Sequence, residues 1–186
     1  MSIIQKNIKD RRSRFPDMYD DRPIQKNDIL TVLESANYAP THRKTEPWRF
    51  KVIKGEAKKR LADFLVEEYV SSEETPSDFK INKIRKKASK ASVIILICMQ
   101  RDLAESVPEW EEIASTAMAV QNMWLTCTEL GIGCYWSSPK TIHNMHKHIN
   151  LSDGERCLGL FYMGYSSLSL PNYDRGPISE KVEWFI

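Results

Sequence analysis

Three short segments hold the side chains best suited to chemistry. The first is Arg11-Arg12-Ser13-Arg14. Planar guanidinium groups beside a hydroxyl can grip a phosphate through charge-assisted, bidentate hydrogen bonds, with no glycine-rich loop. A run this short also occurs as a plain solvated patch. The second is Ala39 to Phe50, where Pro40 and Pro47 bracket a polar loop containing His42, Arg43, Lys44 and Glu46. It is longer than a helix-to-strand connection requires, which points towards function. The third is Gly131 to Pro139. Here Gly131 and Gly133 permit a close backbone approach, Trp136 offers a flat apolar surface, and Ser137 and Ser138 supply hydroxyls.

Helices and strands must position these segments. A helix over residues 3–12, with Ile3, Ile4 and Ile8 on one side, leads into the arginines. A second, over 27–38, starts at Asn27 as N-cap and ends before Pro40. Residues 48–53 alternate as a strand, and 58–70 form an amphipathic helix. The polar stretch 71–80 reads as a mobile loop and 81–91 as a basic helix. Residues 92–99 are apolar enough for a strand covered on both faces. The helix over 109–130 is apolar or small almost all round in its middle, so it must be buried on every side. Its paired Glu111 and Glu112 suit the positive end of the helix dipole. Short strands over 134–137 and 157–165, a short helix over 141–148, a loop over 171–176 and a last strand over 181–186 complete the chain. Elements are mixed without regular alternation, which predicts a single α+β domain with a central mixed or antiparallel sheet flanked by helices.

Composition narrows the possibilities. The 186 residues suit one domain, and 27 Lys+Arg against 25 Asp+Glu leave a net charge of only +2. That is far from the surplus of a nucleic-acid binder. Seven glycines form neither a GxGxxG nor a GxxxxGK[ST] pattern, so side chains must hold any nucleotide. No apolar run approaches a membrane span, and the charged N-terminus is no signal peptide. Cys98, Cys127, Cys134 and Cys157 lie in apolar stretches without CxxC spacing, as expected of reduced, buried thiols in a cytoplasmic protein. His143, His146 and His148 lack an accompanying carboxylate or cysteine at ligand spacing, so no metal site is expected. The basic run Lys83, Arg85, Lys86, Lys87 and Lys90 reads as a solvated helix face, or as an attraction for an anionic partner such as a phosphate-bearing nicotinamide. Trp110 and Trp124 read as core or interface.

Taken together, the three segments resemble the nitroreductase family of FMN-dependent oxidoreductases. Arg11-Arg12-Ser13, Phe15 and Pro23 look like the opening "RRSxRxF…P". Ala39 to Phe50 is similar to "APSxxNxQPWxF", and Gly131 to Ser138 to the "GLG…W" segment. Met163-Gly164-Tyr165 resembles the "xxxGY" closing a core strand, and Arg175-Gly176-Pro177 through Trp184 the terminal "RKPxxxxVxW". The order holds over nearly the whole chain, and the compact, single-domain branch fits best. The sequence departs from the pattern at Lys44, where the family often has an Asn that helps fix the ring edge, and at Glu46, where it often has Gln. The second basic residue, Arg14, comes one after Ser13 rather than two.

The resemblance implies a homodimer with two FMN molecules at the subunit interface. Arg11, Arg12 and Ser13 match positions holding the phosphate and ribityl chain, and Arg175 a later basic position near the phosphate. Tyr38 and His42 match positions reaching FMN from the partner chain, and Lys44 stands in the same loop. Trp136, Ser137 and Ser138 match the segment lying along the flavin. The implied reaction is ping-pong transfer of reducing equivalents from NAD(P)H through FMN to a nitro compound, quinone or similar acceptor. Residues 64–80 and 101–110 would form the substrate pocket. The cofactor supplies the chemistry, so no catalytic side chain is required of the protein. The alternative is a flavin-binding protein of the same fold with a storage, sensing or partner-binding role.

Overall fold

The computed structural model describes residues 1–171 and 175–186. The loop expected over 171–176 falls partly on 172–174, outside the described residues. Four strands form one antiparallel sheet: β1 (Trp48–Ile53), β2 (Val93–Gln100), β3 (Ile132–Ser137) and β4 (Glu155–Tyr165), in the order β1-β2-β4-β3. The helices are α1 (Ile3–Asp10), α2 (Lys26–Ala36), α3 (Glu56–Ser72), α4 (Asp78–Lys90) and α5 (Glu109–Glu129).

The sheet sits between two helical layers because β2 and β4 are apolar on both faces. Val93, Ile95 and Ile97 of β2 join Phe161 and Met163 of β4 against α2 and α5. Ile94, Leu96 and Cys98 face the other way, onto Leu61 and Leu65 of α3 and Ala88 of α4. Residues of β2 from Val93 to Met99 are all buried, as the unbroken apolar run requires. A bulge between Ile97 and Cys98 lets Leu158 of β4 drop out of register. Gly131, at φ 67°, ends α5 in the left-handed conformation that glycine adopts at least cost, and the chain turns directly into β3.

Several expectations need correction. Helix α2 begins at Lys26 after Gln25, so Asn27 lies inside its first turn and is not the cap. Half of the polar stretch 71–80 is helical: α3 runs to Ser72 and α4 starts at Asp78, leaving a connection at 73–77. The short helix at 141–148 is a 3-10 helix over Lys140–Lys147. The expected strand at 181–186 does not form. A 3-10 turn at Ile178–Lys181 is followed by irregular chain. Val182, Trp184, Phe185 and Ile186 are all exposed, so no strand of the same chain receives them. Helix α5 is covered by its own chain on one side only, with Ala117, Met118 and Gln121 exposed. Glu112 does more than complement the helix dipole. It is buried, pairs with Arg101, and accepts from the Asp102 N–H at 2.8 Å, which ties the chain after β2 to α5.

Candidate functional site

Helix α1 ends at Asp10, and the next residues cross to the free edge of the sheet. There Ser13 forms a parallel bridge with Cys134 of β3, and the Arg14 N–H donates to the Cys134 carbonyl at 3.0 Å. The bridge needs Gly133, because a Cβ at that position would lie 2.9 Å from the Arg14 side chain. Thus the close approach permitted by Gly133 is to the arginine segment itself. Tyr19 secures the segment from the other side, its hydroxyl donating to the Arg14 carbonyl at 2.6 Å. The ring of Tyr19 rests where a side chain on Gly164 would stand.

Trp124 of α5 is the floor beneath the arginines. Its indole N–H donates to the Arg12 carbonyl at 3.2 Å, while the Arg11 guanidinium lies 4.8 Å from its ring centroid. Arg12 donates to the carbonyls of Lys9 and Arg11. Arg11, Arg12, Ser13 and Arg175 then line one pocket of about 250 Å3, closed by Phe15, Met18 and Leu170. Burial, and after it the charge of Arg175, lower the Arg11 pKa below the usual guanidinium value. Among the described residues no carboxylate comes within 4.0 Å of Arg11 or Arg175. Like charges are therefore held together in a half-buried pocket, an arrangement that an anion would relieve. Arg14 instead turns away, donating to Ser166 Oγ at 3.3 Å and the Leu168 carbonyl.

Trp136, Ser137 and Ser138 follow Cys134 along and just beyond β3. The Trp136 indole packs against Gly159, where a Cβ would fall 2.0 Å from its nitrogen. That nitrogen is buried, with no hydrogen-bond partner among the described residues. Ser137 is half-buried and Ser138 exposed.

Tyr38, His42 and Lys44 lie elsewhere. His42 Nδ1 is 2.5 Å from Glu111 Oε2, at the first turn of α5, and Tyr38 is 78% exposed. Thirteen residues of α5 separate Glu111 from Trp124, or roughly 20 Å of helix. His42 therefore lies at the far end of α5 from Trp124, Tyr38 shares a surface groove with Thr126, and of the predicted residues Arg11, Arg12, Ser13 and Arg175 gather around one pocket. After His42 the backbone is strained: Arg43, Lys44 and Glu46 all have positive φ, at 50°, 57° and 41°. Trp124 and Tyr19 are the supports that sequence reasoning missed. Their aromatic character is plain in the sequence, but their placement under the arginines depends on long-range packing.

The other features are structural. All four cysteines are free and buried, and burial pushes the Cys134 thiol up. His148 stacks on Phe64 at 4.8 Å. Among the described residues no cluster of His, Cys, Asp or Glu could hold a metal, and no helix is long and apolar enough to cross a membrane.

Antiparallel β1-β2-β4-β3 pairing between two helical layers, with an arginine pocket at the β3 edge, defines an α+β fold shared with nitroreductase-like proteins. The nitroreductase family model matches residues 8–165, and the chain belongs to that family. A Bacillus subtilis protein, YfhC, provisionally named an NAD(P)H nitroreductase, is 29% identical over 97% of this chain and 93% of its own length. The crystal structure of a nitroreductase-like family protein from Bacillus cereus superposes with a TM-score of 0.84 at 28% identity, covering 100% of this chain and 97% of that one. A Bacteroides fragilis nitroreductase with bound FMN shares the fold at 17% identity and a TM-score of 0.73, over 100% of both chains.

Proposed function

We propose that the protein is a cytoplasmic, homodimeric FMN-dependent oxidoreductase. It would pass reducing equivalents from NAD(P)H to an electron-poor acceptor such as a nitro compound or quinone. The observation that carries this reading is the pocket in which Arg11, Arg12 and Arg175 converge beside Ser13 over Trp124. Its donors are those a phosphate monoester needs, and burial together with the Arg175 charge lowers the Arg11 pKa, so a bound anion would be favourable there. When bound, FMN supplies the two-electron chemistry.

The chain's own residues hold and orient. Arg11, Arg12 and Arg175 neutralise the phosphate, and the Ser13 hydroxyl donates to the phosphate or ribityl chain. Trp136, Ser137 and Ser138 continue from that anchor along the same sheet edge and would contact the rest of the cofactor. Bound FMN would supply the electron transfer for a ping-pong scheme, which would require no general acid from the protein.

Two observations support the second chain. The chain exposes 11691 Å2, whereas a compact monomer of 21.6 kDa exposes about 9,200 Å2. The excess lies in the range that obligate dimers bury. The exposed large apolar side chains include Ile3, Ile4 and Ile8 of α1, Met118 of α5, and the Trp184-Phe185-Ile186 tail. Tyr38, His42 and Lys44, none of which lines the arginine pocket of its own chain, would then face the partner's.

Purified protein tests the reading directly. It should be yellow, and anaerobic NADH or NADPH should bleach it. A colourless preparation that refuses added FMN overturns the proposal. Retained flavin that neither nicotinamide reduces overturns the enzyme and leaves a flavin-binding role.

A further inference from the structure

A second cavity lies outside the arginine pocket. It measures about 570 Å3 and opens between α3, α4 and the turn that follows Ser138. Its apolar walls are the aromatic Tyr69 of α3 and Phe79 of α4, with the aliphatic Ile84 of α4. Most of its charged groups are cationic, with Lys80, Lys83 and Lys87 on one face of α4 and Lys140 across from them.

The basic run of α4 divides into two sets. Arg85, Lys86 and Lys90 point away from the cavity and pair with Asp63, Asp17 and Asp21 at 3.6, 3.0 and 3.7 Å. Those three are the solvated, balanced helix face that charge runs usually form. The set facing the cavity is not balanced. Glu73 is the one carboxylate in its lining, and it lies 3.6 Å from Lys80. Among the described residues, Lys83, Lys87 and Lys140 have no carboxylate within 4.0 Å. Two of them rest on rings, Lys83 Nζ 5.8 Å from the Phe79 centroid and Lys87 Nζ 5.1 Å from that of Tyr135, as Lys80 Nζ also does at 4.1 Å from Tyr69. Lys87 Nζ donates to the Tyr135 hydroxyl at 3.1 Å.

Tyr135 also connects the two pockets. Its ring is 4.8 Å from that of Phe15, which closes the arginine pocket, while its hydroxyl holds Lys87 in the lysine cavity. A ligand in the lysine cavity therefore sits one aromatic wall away from the proposed cofactor and against the turn continuing from Ser138.

We infer that this cavity binds flat aromatic molecules carrying a carboxylate or phosphate, and that such anions are the class of acceptor the protein prefers. Ring walls cover the aromatic face and the uncompensated lysines take the charge, a division of labour common to small-molecule sites of this size. The acceptor part of the inference rests on the oxidoreductase reading above; the binding part does not.

The test measures equilibrium binding by calorimetry to the flavin-loaded full chain, without turnover. The probes are 4-nitrobenzoate, 4-nitrophenyl phosphate and the neutral 4-nitrobenzamide. The expected result is at least tenfold tighter binding of both anions than of the amide at low salt. The preference should disappear in Lys83→Glu/Lys140→Glu, persist in Lys83→Arg/Lys140→Arg, and be untouched by Lys26→Glu on the opposite helical layer. A carboxylate preference without a phosphate preference narrows the ligand to carboxylates and still supports the site. Equal affinity for anions and amide, or a preference surviving the double charge reversal, overturns it. Protein lacking flavin yet discriminating in this lysine-dependent way keeps the binding site and overturns the oxidoreductase reading. Flavin-bearing, nicotinamide-reducible protein without discrimination overturns the cavity proposal alone.

Discussion

The arginine pocket and the lysine cavity carry the same sign of charge but hold it differently. In the first, Arg11 lies over Trp124, and Arg12 is tied through its carbonyl and its guanidinium. The space is about 250 Å3, and the segment is joined to the sheet edge. In the second, amines on four-carbon stems stand over aromatic rings around a space more than twice as large. Fixed planar forks favour a ligand of one geometry that stays, whereas mobile point charges admit a family of ligands that come and go. The comparison therefore assigns the resident group to the arginines and the exchanging molecule to the lysines.

The strongest way to break that division is Arg12→Ala. Loss of a charge-assisted phosphate contact is worth about 1.5–3 kcal/mol, so FMN affinity should fall by about 10- to 150-fold. Arg12→Lys should restore only part of it, because the fork is lost. Equilibrium dialysis against free FMN decides the matter, and unchanged retention would return Arg12 to an ordinary surface role. A smaller effect is expected from Trp124→Phe, which keeps an aromatic ring under Arg11 but removes the N–H bonded to the Arg12 carbonyl. Stability should drop by about 1 kcal/mol in urea titration, with FMN affinity weakened several-fold. A stability loss with no change in FMN affinity would mean that pocket rigidity does not matter to binding.

The smallest effect separates the two regions by pH. His148 follows the Lys140–Lys147 turn that forms one wall of the lysine cavity, stacked on Phe64. Its pKa is lowered from 6.5, by burial first and by the Arg60 charge second. The folded state thus binds this proton less readily than the unfolded one. Its contribution to stability is complete above pH 6.5 and is lost as pH falls through the lowered folded value. His148→Gln should flatten the fall in stability below pH 6.5 by a small amount, read as a difference in urea midpoints between variant and parent. Identical pH profiles would rule out a contribution from this wall.

Legibility followed the range of the interactions. Strand β1 spans 48–53 as its alternation predicts, and β2 and β4 shift by no more than two residues at an end, because burial on both faces leaves an unbroken apolar run. The arginine segment was visible as a motif. The α4 lysines at spacings of three and four were visible as a basic helix, but Lys80 was not counted with them. Nothing local says that Tyr69 and Lys140 face them across a cavity. The tail failed as a strand because apolar alternation signals a partner without saying which chain supplies it. Glu112 was misread because its partner, Arg101, reaches it through the fold of the intervening chain.

The bridge between Ser13 and Cys134 has a consequence for how the protein is made. The residues it joins are 121 positions apart. At translation rates of 5–20 residues per second, the arginine segment leaves the ribosome roughly 6–24 s before the strand that will receive it exists. Until β3 has been synthesised and added to the edge beside β4, Arg11 and Arg12 have no wall behind them. The most basic corner of the pocket belongs to the start of the chain, yet it is among the last parts to close. Cofactor capture is therefore bound to the end of folding, and a chain truncated before residue 134 would carry the arginines without a place to put a phosphate.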